Sequence, residues 1–244
     1  MKYDYIACGD CLELIKNIPD KSVDLVITDP PYEIFANGSG GAFGKDKRSY
    51  HAEVKTLSDG ITNEILQELV RVMKKINIYI WCNKNQLRQY INFFEGIGCT
   101  TDLLTWHKTN PVPTCNNKYL SDTEYCLYFR KDGVPMYGTY NTKKKYYVTP
   151  TNKADKDKYG HPTIKPLDII QNLVINSSKE GDIVLDPFLG SGTTAVAAAN
   201  NGRHYIGFEV DMNYFETALN RLEEAKRLVD GQYYTESEML AYTE

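Results

Sequence analysis

No apolar run in this chain of 244 residues approaches the roughly 18–20 residues that a bilayer-spanning helix needs. The opening residues Met1-Lys2-Tyr3-Asp4-Tyr5 lack the apolar stretch of a secretory signal. There is no internal repeat and no low-complexity tract. Cysteine is sparse: six are scattered through a chain too long for a disulfide miniprotein. Reduced thiols and a cytoplasmic location are therefore expected. Cys8-Gly9-Asp10-Cys11 is a C-x-x-C, but no second such pair and no nearby His pair completes a zinc site. Its position permits a thioredoxin-type redox pair; coincidence is the favoured reading, and no metal site is expected. Positive charge is not in excess either. Lys+Arg number 28 against 32 Asp+Glu, a net charge of −4, which excludes a histone-like binder driven by overall charge. A basic patch on one face remains open. With 42% hydrophobic and 25% charged residues, the composition excludes a wholly disordered chain, a collagen and a coiled coil.

What is present is an alternation of strands and helices. Short, apolar runs occur at 3–8, 23–28, 77–82, 102–107, 124–129, 182–186 and 204–209. Several are almost continuously apolar, as expected of strands covered on both faces. Helical spacing appears over 11–18, 63–75, 167–178, 193–200 and 212–228, with Asp211 as a candidate N-cap and Gly202 as a candidate C-terminal stop. The alternation predicts an α/β fold with a doubly wound, mostly parallel sheet. Two stretches break the rhythm. Residues 36–50 are Gly-rich and hold Lys45, Lys47 and Arg48, and 131–160 are polar, Tyr-rich and basic. From Arg130 to Lys158 eight Lys/Arg face three Asp, a net +5, whereas Glu209 to Glu244 carries nine acids and three bases, a net −6. A single charge run is usually a solvated face. Two basic loops interrupting an α/β pattern look like binding loops on a rigid scaffold.

Two segments carry chemistry. In Asp182-Ile-Val-Leu-Asp186-Pro187-Phe188-Leu-Gly190-Ser191-Gly192-Thr193, a buried strand runs through a Gly-x-Gly turn into a helix. Glycines let a ligand approach the backbone. Neither the third Gly of a dinucleotide fingerprint nor the Gly-Lys-Ser/Thr of a P-loop is present. Glu209 ends the next strand, 17 residues past Gly192, where an acid can bind both hydroxyls of a ribose. The bland alternative is a helix-entry turn beside an incidental acid. In Val23-Asp-Leu-Val-Ile-Thr-Asp29-Pro30-Pro31-Tyr32, another buried strand ends in a stiff loop. Two prolines remove two backbone donors and leave carbonyls free. A carboxylate, a carbonyl and an aromatic ring held together suit a planar ring bearing an amino group; plain Pro-Pro punctuation is the bland alternative.

Together, Asp29-Pro30-Pro31-Tyr32 and Asp186-Pro187-Phe188-Leu189-Gly190-Ser191-Gly192 resemble the S-adenosylmethionine-dependent DNA amino-methyltransferases. The order of the two motifs resembles the circularly permuted beta group. The resemblance covers about 1–35, 77–130 and 161–225 and is weak over 36–60 and 131–160. It implies a seven-stranded Rossmann-like methyltransferase sheet: a catalytic part over 1–130, an inserted target-recognition region over 131–160, and a cofactor-binding part over 161–244. It implies S-adenosyl-L-methionine as cofactor, held by Asp10, Asp29, Thr163, Lys165, Asp186, Pro187, Phe188, Gly190, Ser191, Gly192, Thr193 and Glu209. Asp10 is similar to the family's adenine-contacting acid. His161-Pro162-Thr163-Ile164-Lys165-Pro166 is similar to the motif that closes over the methionine end, and no proton-transfer role falls to His161. The stretches Trp106–Pro113 and Asp122-Thr-Glu-Tyr125 are similar to the wall of the base pocket.

The implied reaction places Asp29, Pro30, Pro31 and Tyr32 at the catalytic centre. An exocyclic amine is a poor nucleophile, because its lone pair is delocalised into the ring. Donating its N–H groups to Asp29 and to the Pro30 carbonyl, it becomes able to attack the sulfonium methyl. The base must leave the duplex, at a cost of a few kcal/mol. Stacking on Tyr32 returns about 1–3 kcal/mol. Contacts to double-stranded DNA are expected from Lys45, Lys47, Arg48, Trp106, Lys108, Lys143, Lys144 and Lys145. Asp rather than Ser at the start of the motif favours adenine N6 over cytosine N4. An RNA adenine methyltransferase and a non-catalytic DNA-binding protein on the same fold stay open. Glutamine methyltransferases are disfavoured, since their Gly motif comes first. The resemblance allows a homodimer and a cognate restriction endonuclease acting on the same site. It assigns no role to the acidic tail.

Overall fold

The computed structural model describes residues 1–32, 61–111, 113, 117, 119–151, 153–159, 164–225 and 234–235. The chain begins with β1 (Tyr5–Cys8) and α1 (Cys11–Ile15). Asp10 caps α1, its Oδ1 accepting from the Leu12 and Glu13 amides at 2.8 and 3.3 Å. Then follow β2 (Leu25–Thr28), α2 (Asn63–Val72), β3 (Asn77–Cys82), α3 (Leu87–Gly96), β4 (Thr100–Lys108) and β5 (Thr123–Arg130). The basic stretch contributes β6 (Tyr146–Thr149) and α4 (Lys153–Tyr159). After it come α5 (Leu167–Ser177), β7 (Ile183–Asp186), α6 (Thr193–Asn200), β8 (His204–Glu209), α7 (Met212–Glu224) and β9 (Tyr234–Thr235).

The strands form one nine-stranded sheet in the order β6-β4-β5-β3-β2-β7-β8-β1-β9. Every pairing is parallel except the two made by β5, which runs against β3 and β4. All seven expected strands form. β6 and β9 extend the sheet at its two edges. Neither has a usable sequence signal: β6 is a half-exposed run paired only with β4, and β9 is two residues long.

Both sheet faces are covered, which is why the central strands read as apolar runs. The period of two divides β3 cleanly. Ile78, Ile80 and Cys82 join the core under α1, α2 and α3, with Leu14, Leu66, Leu69, Val72, Tyr90 and Phe94. Tyr79 and Trp81 join the core on the other face, under α5, α6 and α7, with Ile170, Leu173, Ala197, Phe215 and Leu222. Local chemistry sets the helix ends. The Asp211 carboxylate caps α7 by accepting from Asn213 and Tyr214, and Gly202 follows α6 with a positive φ of 71°. α3 was not anticipated. Its buried apolar residues are only Tyr90 and Phe94, and Gln86 makes no side-chain cap.

This topology decides where a site can form. From β2 the chain passes to β3 on one side, whereas from β7 it passes to β8 on the other. The crevice beyond the carboxyl ends of β2 and β7 is thus the switch point of the doubly wound sheet, the place where such folds bind ligands. Because β5 is antiparallel, its start lies at that same edge, beside the ends of β3 and β4.

Candidate active site

Asp29 follows the last residue of β2 directly and lies in a nearly buried cluster of charge. Its Oδ2 forms an ion pair with Lys165 Nζ. Lys165 is 6% exposed and also contacts Glu124 Oε2, at 3.1 Å. It donates to Tyr32 Oη at 3.3 Å and sits 5.6 Å from the Tyr32 ring centre and 5.1 Å from that of Trp81. Tyr32 Oη donates to Glu124 Oε2 at 3.3 Å, and Lys108 Nζ lies 2.5 Å from Glu124 Oε1. Asp29 Oδ1 is buried with no hydrogen-bond partner among the described residues. Gln86, buried at the start of α3, donates to the Pro31 carbonyl at 3.3 Å and holds the loop from below.

The electrostatics follow from burial and proximity. Burial pushes the Asp29 carboxyl above its ordinary range even though Lys165 pulls it down. Burial also opposes charge on Lys165, but Asp29 and Glu124 outweigh it and hold the ammonium above an ordinary lysine. Burial acts on Glu124 too, yet Lys165 and Lys108 bring it down to about 2. The nearby Cys82 thiol is pushed up to about 12 by burial, so it offers no thiolate nucleophile.

Across the crevice, Asp186 ends β7 and is pushed up to about 7, chiefly by burial. Its Oδ1 accepts from Phe188 N at 3.1 Å. Pro187 is buried, and Phe188 packs against the core. The turn then folds over β8: Leu189 N donates to Phe208 O at 2.8 Å, and Leu189 sits where a Cβ on Gly207 would be. Gly190 and Gly192 have φ of 54° and 84°. A Cβ on Gly192 would stand 2.9 Å from Ala218 Cβ of α7. The Glu209 carboxylate ties this turn to the end of β8, accepting from Gly190 N at 2.7 Å and Asp211 N at 2.9 Å. Asp10, at the end of β1, is adjacent, since Cys8 pairs with Glu209.

Several of the expected residues already have partners within the chain, and Trp106 is buried. Ser191 and Thr193 turn their hydroxyls inward to Arg221, which is 5% exposed. Its Nη1 donates to Ser191 O at 2.7 Å and to Ser191 Oγ and Thr193 Oγ1 at 2.9 Å. These bonds brace the glycine turn against α7. Lys165, expected over a cofactor, is held by Asp29 and Glu124. Trp106, expected at DNA, is 2% exposed and packs in the core with Tyr79 and Trp81; its Nε1 donates to Thr149 Oγ1 at 2.8 Å. Lys108 is spent on Glu124, and Lys145 pairs with Asp102. Lys143 and Lys144 are exposed. Lys45, Lys47, Arg48, His161 and Thr163 lie outside the described residues. Cys8 and Cys11 form no disulfide with each other, and burial pushes the Cys11 thiol up to about 12. Among the described residues no His/Cys/Asp/Glu group suits a metal ion.

Sequence reasoning missed Arg221, Gln86 and the link from Lys165 to Asp29. Arg221 follows an apolar stripe of α7 at helical spacing, and its interruption of that face is the only available signal. Glu124 was placed in a pocket wall but not among the site residues.

A doubly wound sheet with an acid-bearing Pro-Pro-Tyr loop and a glycine turn facing one crevice defines a methyltransferase of the α/β class. The solved structures of M1.HpyAVI in complex with SAM and of the PvuII cytosine-N4-specific DNA methyltransferase share this fold. The first has a TM-score of 0.66, 28% identity, and coverage of 89% of this chain and 98% of that one. The second has a TM-score of 0.68 at 17% identity, covering 97% and 98%. The DNA methylase family (N6_N4_Mtase) matches residues 23–220. The Type II methyltransferase M2.LlaDCHI of Lactococcus lactis subsp. cremoris is 30% identical, covering 88% of this chain and 87% of its own. M2.DpnII of Streptococcus pneumoniae is 29% identical, covering 88% of both. The chain belongs to the DNA methylase family.

Proposed function

We propose that the protein is a site-specific DNA methyltransferase that methylates the exocyclic N6 amine of a flipped adenine in double-stranded DNA, using S-adenosyl-L-methionine. The observation that carries this reading is Asp29, with one carboxylate oxygen held by Lys165 and the other buried and without a partner among the described residues, beside Tyr32 and across the crevice from the glycine turn.

The residues present fit the cofactor. Gly190 and Gly192 present bare backbone in a conformation braced by Arg221. Glu209 orders the turn with one bond to each oxygen, and lone pairs remain for the two hydroxyls of a ribose. Asp10, Asp186, Pro187 and Phe188 line the same end of the sheet. When bound, the cofactor supplies an electrophilic sulfonium methyl group.

The protein positions the nucleophile for it. The base amine donates one N–H to Asp29 Oδ1 and the other to the Pro30 carbonyl, which frees the nitrogen lone pair. Tyr32 stacks on the extruded ring, and the proton released on transfer passes to Asp29 or to water. No covalent enzyme intermediate is needed. Lys143 and Lys144, with Lys45, Lys47 and Arg48, contact phosphates. The Asp-Pro-Pro-Tyr loop, rather than Ser-Pro-Pro-Tyr, supports adenine over cytosine, and its position ahead of the glycine motif supports the permuted beta group. The Type II relatives support a cognate restriction endonuclease acting on the same site. A homodimer and a cytoplasmic location complete the reading.

Unmethylated DNA incubated with the protein and cofactor, digested to nucleosides and weighed by mass spectrometry, tests it. N6-methyladenine is the expected product. N4-methylcytosine would overturn the base assignment, and no modified nucleoside would overturn the activity.

A further inference from the structure

The charges around Asp29 are arranged unevenly. Lys165 bridges two carboxylates: Asp29 through Oδ2 and Glu124 through Oε2 at 3.1 Å. Both Glu124 oxygens are engaged, Oε1 by Lys108 at 2.5 Å and Oε2 by Lys165 and by the Tyr32 hydroxyl. Among the described residues only one Asp29 oxygen, Oδ2, is engaged. A lone ammonium beside a lone carboxylate in a buried site is free to bridge both oxygens and neutralise it. Here a second carboxylate, fixed at the start of β5 and anchored by Lys108, holds the ammonium to one side.

We propose that Glu124 is a positioning residue of the reaction: it shares the Lys165 ammonium with Asp29, so that Lys165 keeps Asp29 ionised while Oδ1 stays open to the base amine. The inference rests on the methyltransferase reading given above. The groups facing Asp29 are Lys165 from the segment ahead of α5, Glu124 and Cys126 from β5, Cys82 from β3, Asp186 from β7, and Tyr32 from its own loop. Among the described residues Lys165 is the one cation facing Asp29, so removing Glu124 and removing Lys165 act on Asp29 in opposite senses. Without Glu124 the ammonium bears on Asp29 alone, and the carboxylate holds its charge to lower pH. Without Lys165 the buried carboxylate takes up a proton at higher pH.

The test is the pH dependence of methyl transfer to unmethylated genomic DNA for the wild type, Glu124→Gln and Lys165→Met, with cofactor affinity of Glu124→Gln measured by calorimetry. Glu124→Gln is expected to lower kcat at least tenfold at neutral pH while cofactor Kd changes less than threefold. Its acid limb moves to lower pH. The acid limb of Lys165→Met moves to higher pH, with activity recovering under alkaline conditions. The proposal is overturned if the two limbs move together or not at all. It is overturned by Glu124→Gln turnover within twofold of wild type, by loss of its cofactor binding, which marks a folding role, or by a Lys165→Met protein inactive at every pH. Wild-type protein that transfers no methyl group sinks the underlying reading as well. Wild-type transfer with unmoved limbs sinks this inference alone.

Discussion

At the scale of single residues, the legible part of the site was the part whose chemistry demands a residue type. Asp29 and Tyr32 lie in the loop that directly follows one strand and Glu209 ends another, so their positions followed from finding the strands. The orientation of Trp106 did not follow. It shares parity along β4 with Leu104, and only the register, which sets Trp106 opposite Glu124, decides that this face is the buried one. The partner of the Ser191 and Thr193 hydroxyls did not follow either: Arg221 is 28 to 30 residues away on another helix. Glu209 carries a specific expectation. Its two oxygens hold Gly190 N and Asp211 N, and under the proposed reading the same carboxylate meets the ribose. Glu209→Ala is expected to weaken cofactor binding at least tenfold, about 1.4 kcal/mol or more. Calorimetry showing unchanged affinity would remove Glu209 from the site.

At the scale of elements, five helices were anticipated from their periodicity, and two of these carried a readable cap or stop. α3 and α4 were not, because neither carries a long apolar stripe; α4 is a seven-residue polar helix inside the basic stretch. The turn between β7 and α6 is the element on which the cofactor reading depends, and its constraints are steric. Gly192 combines φ of 84° with a Cβ position 2.9 Å from Ala218 Cβ. Gly192→Ala therefore strains the backbone and forces α7 outward, and a loss of about 1–3 kcal/mol of stability is expected. Urea denaturation would check it; a loss below about 0.5 kcal/mol, the range of an ordinary surface change, would mean that the turn relaxes freely.

At the scale of the whole molecule, the fold does one thing for function: it brings two distant segments of sequence to one crevice. The residues ending β2 and those ending β7 are separated by more than 150 positions in the chain, yet these strands pair directly, with Val26 beside Leu185. The alternation of strands and helices made the doubly wound sheet legible, and the apolar central strands showed that both faces are covered. The charge cluster of Asp29, Lys165, Glu124 and Lys108 was not legible as a unit. It forms only because antiparallel β5 starts at the edge where the parallel strands end. The central claim is that this crevice divides labour: one side holds the cofactor and Asp29 receives the base amine. Asp29→Asn, which keeps the shape and removes the charge, tests that claim most directly when methyl transfer to DNA and cofactor affinity are measured on the same preparation. The account predicts that transfer falls at least a hundredfold, a barrier increase of about 2.7 kcal/mol or more, while cofactor affinity changes less than tenfold. Turnover within tenfold of wild type would contradict it.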